Sequence, residues 1–450
     1  MPEISWSPST WQAFPALHQP AWPNHEAHDA VIAQLSSLPA LVFAGETRAL
    51  RLELAEASYG RAFVLQCGDC AEDFAMCHGP RIHALVKVIL QMSIILAYAG
   101  ERRVVNIGRL AGQYAKPRSS ETEDLDGHRI PSFFGEMVNG AEPTLEARRP
   151  DPKRILEGYF RASATLNLVR AFTRGGYAAL DHVEAWHRDF LDTFPPNPLY
   201  EKLAKGIRKA VRFAGVLGFD LESPQLNQIT LYTSHEALLL AFEEAMARID
   251  TTTGDWYDTS AHFLWIGNRT RQVEGAHVEF LRGIHNPIGV KIGPGHDLDD
   301  ILRLIDRLDP NGEPGRLTLI PRLGATHIAR ELPNLIRTVR ASGHPILWIC
   351  DPMHGNTYKN TQGQKTRSLP DIVQELRYFT DIHRAEGTVP GGVHLEITGD
   401  LVTECVGGGR NLQDADLASN YSSTCDPRLN AEQAVELAFE IASFINPEGC

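Results

Sequence analysis

The sequence predicts an α/β protein built as a (β/α)8 TIM barrel, with an N-terminal extension and an inserted helical excursion. Two observations carry this reading. Eight short β-branched or apolar runs each end abruptly in polar, charged or Gly residues, and amphipathic helical stretches follow them. Alternating strands and helices imply a parallel sheet, and eight such strands in one core close into a barrel more readily than they lie open. A length of 450 residues suits one large barrel, and 43% hydrophobic with 22% charged residues is globular composition.

Taken in order, residues 1–60 read as an arm holding Trp6, Trp11, Trp22, Pro20 and Pro23, then helices across His25 to Leu35 and Thr47 to Ala57. Residues 61–450 form the barrel domain. Its runs are FVLQCGD at 63–69, VVNIGR at 104–109, ITLYTS at 229–234, HFLWIG at 262–267, IGVKIG at 288–293, LTLIPRLG at 317–324, ILWICDP at 346–352 and VHLEITG at 393–399. A ninth candidate, AALDHV, lies at 178–183. The interval 184–228 is long for one connection and contains a helical piece from Tyr200 to Leu217, which marks the insertion. For the last helix, Asn430 and Gln433 make a capping-box pattern, after which Ala434, Leu437, Ala438, Ile441 and Ile445 repeat at helical spacing.

The formal net charge of −13 disfavours bulk attraction to nucleic acid or anionic lipid, so an anionic substrate would have to be gathered by local cations. Seven cysteines spread over the chain without a secretory pattern read as a reducing compartment, and the expected location is cytoplasmic. The longest apolar stretch, Ala84 to Gly100, is interrupted by Lys87 and Gln91, which favours a buried helix over a membrane span.

Active sites of parallel barrels sit at the C-terminal ends of the strands, so the residues closing each run are the candidates. Cys70 ends the first, His354 follows the seventh, Glu396 lies in the eighth, and Asp426 comes after it. Thiolate, imidazole and two carboxylates suit a borderline divalent ion such as Mn2+, Fe2+, Co2+ or Zn2+. The plainer alternative is a buried apolar thiol and satisfied polar residues. A structural zinc is disfavoured because no second C-x-x-C follows Cys67 and Cys70. A second set is cationic: Arg109, Lys116, Arg118, Arg269, Lys291 and Arg322. Arg forks match phosphate and carboxylate oxygens, and Lys adds a point charge. Singly, each could be a solvated or ion-paired side chain. Lys291 is also placed where a Schiff-base lysine could sit, and Trp265 and Trp348 read as barrel packing.

The strings LQCGDCAEDF, GRLAGQYAKPRS, TSHEALLL, SAHFLWIGNRTRQVEGAHVEFLRGI, NPIGVKIGP, PGRLTLIPRLG, CDPMHGNT, QKTRS, GGVHLEITGDLVTECVGG and CDPRLN, collinear from Arg61 to Ile445, together resemble the type II 3-deoxy-D-arabino-heptulosonate 7-phosphate synthases. The resemblance implies a metal-dependent condensation of phosphoenolpyruvate with erythrose 4-phosphate, the entry step of the shikimate pathway. It implies Cys70, His354, Glu396 and Asp426 as metal ligands, with Mn2+ the expected ion. It places Arg269, Lys291 and Arg322 on phosphoenolpyruvate with Arg109 and Lys116 beside them, and the segment Lys116, Pro117, Arg118 and Ser119 on the aldose phosphate. Lys291, His354 and Cys70 are the expected catalytic residues. A homodimer or homotetramer is expected, and part of the family associates with a chorismate mutase. One departure stands near the chemistry: the family string W-x-G-E-R-T-R has Asn268 in place of Glu here. It motivates two alternatives, a specialised paralogue using an altered aldose such as an amino analogue, and a non-catalytic regulatory barrel. A third is a metal-free aldolase working through Lys291.

Overall fold

The computed structural model describes residues 5–118, 120–125, 128–174, 198–217 and 229–445. Eight parallel strands close a barrel in sequence order, β1 Ala62–Gly68, β2 Arg103–Arg109, β3 Leu231–Glu236, β4 Phe263–Ile266, β5 Ile288–Ile292, β6 Leu317–Pro321, β7 Leu347–Cys350 and β8 Gly392–Glu396, with β8 pairing back onto β1. These are the eight runs expected from the sequence. The third lies two residues further along than its apolar pattern suggested, a shift that brings Glu236 to the strand end. The ninth candidate, 178–183, lies outside the described residues.

The helices are α1 His25–Ser37, α2 Ala44–Ser58, α3 Gly79–Gly100, α4 Lys153–Arg174, α5 Pro198–Val216, α6 Leu240–Met246, α7 Ala276–Arg282, α8 Leu298–Leu308, α9 Ile328–Ser342, α10 Leu369–Ala385 and α11 Ala431–Ile445. Of the expected excursion at 184–228, the described part is α5 together with Leu217. Local chemistry sets these boundaries. The Asp297 side chain caps α8 by accepting from the N–H groups of Asp299 and Asp300, and Ile301, Leu304, Ile305 and Leu308 then fall on one buried stripe. Asn430 and Gln433 form the expected reciprocal cap of α11, with Gln433 N–H donating to Asn430 Oδ1 at 2.8 Å and Asn430 N–H to Gln433 Oε1 at 3.3 Å. Helix α3 is long and apolar enough to span a bilayer, yet most of it is buried against the rest of the chain.

The period of two along each strand sorts the barrel interior into layers. Val64, Val105, Phe263, Leu347 and Ile349 form one buried apolar cluster, which Leu50, Leu54 and Ala57 of α2 join, so α2 closes the end where the strands begin. Further along the same faces the residues turn polar. Val64 is followed by Gln66, Ile107 by Arg109, Ile349 by Asp351, and Gly392 by His394 and Glu396. The apolar layers anchor the barrel, and the C-terminal layers are left for chemistry. Close approach at this end demands glycine. A Cβ on Gly68, whose φ is +147°, would lie 2.5 Å from the Arg109 carbonyl oxygen, and one on Gly267 would lie 2.1 Å from Glu236 Oε1. Two antiparallel ribbons that the sequence pattern did not reveal, Thr122–Leu125 with His128–Pro131 and Thr357–Lys359 with Lys365–Arg367, supply residues to the same end.

Candidate active site at the barrel mouth

A cavity of about 490 Å3 opens at the C-terminal ends of the strands. Lys116, Pro117, Arg118, Asn268, Arg269, Lys291, Arg322, His354 and Asp426 line it, so nine of the residues singled out from sequence share one space. Cys70, Arg109 and Glu396 are buried against this floor. Ser119 lies outside the described residues. Glu236, Lys359 and Lys365 also face the cavity and were not anticipated.

Ligand atoms of Cys70, Glu396 and Asp426 lie within 4.8 Å of one another, and His354 Nε2 stands 3.2 Å from Glu396 Oε1. The chain brings them together from the end of β1, the turn after β7, the end of β8 and the loop before α11. Arg428 ties two of these segments: it donates to Asp69 Oδ1 at 2.6 Å, one residue before Cys70, and to both oxygens of Glu404. Burial alone would push the Glu396 and Asp426 carboxyls up. Nearby positive charge wins: His354, Lys116, Arg367 and Arg109 hold Glu396 well below the usual carboxylate range, and Lys116, Arg367 and His354 do so for Asp426. Burial pushes the Cys70 thiol well up, with the Cys425 thiol and the Glu396 carboxylate adding to it.

The fit of a divalent ion follows from these contacts. Burial lowers the His354 pKa, and Asp351, an acceptor, takes the hydrogen of Nδ1 at 2.7 Å. The imidazole thus stands between two carboxylates, with Nε2 directed at Glu396 Oε1 and the rest of the ligand set. The ammonium of Lys116 already reaches into the set, contacting Cys70 Sγ, Asp426 Oδ2 at 2.9 Å and Glu396 Oε1 at 3.4 Å. A borderline cation suits this mixture of soft sulfur, imidazole and carboxylates.

The opposite wall is built from β4, β5 and β6. Lys291 Nζ donates to Asp351 Oδ2 at 2.8 Å, and burial lowers its pKa to about 8 against the opposing pull of that carboxylate. Arg322 donates to the His354 carbonyl at 3.0 Å, and Arg269 to the Pro117 carbonyl at 3.1 Å. Neither Arg has a carboxylate within 4 Å among the described residues, and Arg322 Nε is buried without a partner. Guanidinium groups aimed into a cavity, with no carboxylate within 4 Å among the described residues, form an anion site.

Several placements differ from the sequence reading. Arg109 turns toward the ligand set, donating to Glu396 Oε1 at 2.9 Å. Trp265 is more than packing, because Arg109 and Lys291 sit over its ring at 5.1 and 5.6 Å from the centroid. Asn268 works through its side chain: Oδ1 accepts from the Gly293 N–H at 2.8 Å and from Arg271 Nε at 3.1 Å. Arg367, fully buried and 2.7 Å from Glu396 Oε2, and Lys365, 2.8 Å from Asp426 Oδ1, were missed as site residues although both fall in the string QKTRS.

The class-II DAHP synthetase family model matches residues 6–442. The chain is 49% identical over 434 residues to a phospho-2-dehydro-3-deoxyheptonate aldolase of Streptomyces coelicolor, covering 96% of each. It is 45% identical over 438 residues to one of Mycolicibacterium smegmatis, covering 96% of this chain and 93% of that protein. A closed eight-stranded barrel whose mouth carries the motifs of one family, matched along nearly its whole length, leaves one assignment: the chain belongs to the class-II DAHP synthetase family.

Proposed function

We propose that the protein condenses phosphoenolpyruvate with erythrose 4-phosphate to 3-deoxy-D-arabino-heptulosonate 7-phosphate and inorganic phosphate, in the cytoplasm, as the first step of the shikimate pathway. One observation carries the reading: a thiol, imidazole and carboxylate ligand set faces, across one cavity, Lys291 and the guanidiniums of Arg269 and Arg322, which have no carboxylate within 4 Å among the described residues. Cys70, His354, Glu396 and Asp426 would hold a divalent ion, Mn2+ in the first instance, which when bound supplies Lewis-acid polarisation of a carbonyl. Cys70 would enter that set as thiolate, so metal binding releases about one proton.

The remaining work falls to the chain. Arg269, Lys291 and Arg322 hold the phosphate and carboxylate of phosphoenolpyruvate, orienting C3 toward the aldehyde carbon. The segment Lys116, Pro117 and Arg118, which lines the cavity, would take the aldose phosphate, as the family resemblance also implies for Ser119. Once the carbon–carbon bond forms, C2 is electron-poor; water adds there, and cleavage of the C–O bond releases phosphate without a phosphoryl-enzyme. Fixed cations that meet this charge without reorganising contribute about 3 kcal/mol each.

The test follows loss of the enol absorbance of phosphoenolpyruvate with erythrose 4-phosphate and other aldose phosphates, before and after chelation. Consumption that needs erythrose 4-phosphate, stops with chelator and returns with Mn2+ is the expected result. Absence of consumption with every aldose after metal restoration removes the proposal. Asn268 favours a second reading, an altered aldose such as an amino analogue, and the same panel of aldoses decides it.

A further inference from the structure

Asp351 lies just past the end of β7, fully buried, and its carboxylate meets four donors. Oδ1 accepts the backbone N–H groups of Met353 at 3.0 Å and His354 at 3.1 Å. Oδ2 accepts His354 Nδ1 at 2.7 Å and Lys291 Nζ at 2.8 Å. Its own N–H donates to the Pro321 carbonyl at 2.9 Å, which pins it to the residue before Arg322. The carboxylate is thus held by backbone on one oxygen and holds with the other one side chain from strand β5 and one from the turn after β7.

We propose that Asp351 is the positioning residue that joins the two halves of the site, fixing the imidazole tautomer of His354 for the metal and the ammonium of Lys291 for phosphoenolpyruvate. The inference rests on the proposed function, since it takes His354 as a ligand and Lys291 as a substrate contact. The physical argument is one of donors and acceptors. A carboxylate can only accept, so it keeps hydrogen on Nδ1 and leaves the Nε2 lone pair directed at the cluster of Cys70, Glu396 and Asp426. The same oxygen draws the lysine head to within 3.5 Å of the imidazole, so a shift of Asp351 moves both groups together. A turn-capping role alone would need only Oδ1; the two bonds to Oδ2 exceed it.

Asp351→Asn separates these roles, because the amide oxygen still serves the backbone N–H groups while the NH2 faces two donors. In the full-length wild type without metal, at a pH where the imidazole is neutral, histidine 15N shifts should report His354 carrying its hydrogen on Nδ1 and bare at Nε2. In Asp351→Asn the pattern should reverse. Mn2+ affinity measured by calorimetry should fall about 10–100-fold, the usual cost of losing the partner of a ligating histidine. Phosphoenolpyruvate affinity should fall as well, and this second loss should vanish when Lys291→Met is already present. A wild-type His354 protonated at Nε2 overturns the inference, and that reading needs no variant to fold. So does unchanged Mn2+ affinity in Asp351→Asn, or an equal loss of phosphoenolpyruvate affinity in the Lys291→Met background. Failure of the wild type to bind Mn2+ or phosphoenolpyruvate would instead remove the underlying functional proposal.

Discussion

On the β1 and β8 side of the cavity, charge is already matched. Glu396 meets Arg109, Lys116, Arg367 and His354, and Asp426 meets Lys116 and Lys365. On the β4 to β6 side only Lys291 meets a carboxylate, Asp351, while the side chains of Arg269 and Arg322 rest on backbone carbonyls alone among the described residues. The matched wall is a pre-formed cage whose anions stay ionised because cations surround them, and a metal must compete with Lys116 to enter it. The unmatched wall keeps an excess of positive charge in a chain of net charge −13, and that excess is completed only by an anionic substrate. Apart from Asp351, which contacts both, the two walls are therefore expected to fail independently.

Breaking the matched wall should have the largest effect. Cys70→Ser replaces the soft ligand, and losing several kcal/mol of Lewis-acid stabilisation corresponds to a fall in kcat on the order of 1000-fold. Calorimetric affinity for phosphoenolpyruvate in the same variant should stay close to wild type. A comparable loss of phosphoenolpyruvate binding would show that the walls are not separable.

Breaking the unmatched wall comes next. Arg322→Ala removes a guanidinium that no carboxylate of the described chain neutralises, and kcat/KM for phosphoenolpyruvate should drop about 100-fold, corresponding to about 3 kcal/mol. Mn2+ affinity should be unchanged. If Mn2+ binding weakened as much as substrate binding, the bond from Arg322 to the His354 carbonyl would be the more important of its roles.

A smaller effect sharpens the comparison through pH. Burial disfavours the ammonium of Lys291 and lowers its pKa to about 8. The charged form therefore dominates below that pH and is lost above it, so phosphoenolpyruvate affinity should decline about tenfold as pH rises through about 8, the scale of one charged hydrogen bond. Lys291→Met should bind more weakly throughout and lose this inflection. An inflection that survived in Lys291→Met would belong to another group.

Much of this was legible in the sequence because strand-end residues are both patterned and chemically marked. All eight barrel runs follow from apolar runs that stop at polar, charged or Gly residues, whereas Pro117 and Asn268 among the cavity-lining residues were marked only by the family strings. Glu236 escaped because the apolar part of its strand ends before Ser234-His235-Glu236, although pairing with β4 continues through it. Lys365 and Arg367 escaped because they sit on a three-residue strand too short and too polar to carry a period. Asp351 was visible only as part of D-P-M-H-G-N, since its partner Lys291 lies 60 residues earlier and only the closed barrel brings them together.

The smallest expected effect concerns the one departure from the family string. Asn268 Oδ1 serves two donors, the Gly293 N–H and Arg271 Nε, and a carboxylate can serve the same two. Asn268→Glu would add one methylene in a confined place, where a Cβ on Gly293 would already lie 2.9 Å from Asn268 Nδ2. It would also add a negative charge beside Arg269. The donors stay satisfied, and Arg269 still faces the cavity, so KM for phosphoenolpyruvate should change by less than about threefold, within the range of an exposed ion pair of up to about 1 kcal/mol. The ranking of aldose phosphates should not change. A switch in that ranking would show that charge at this position reaches across to the aldose side, and the unmatched wall would then be selecting both substrates rather than one.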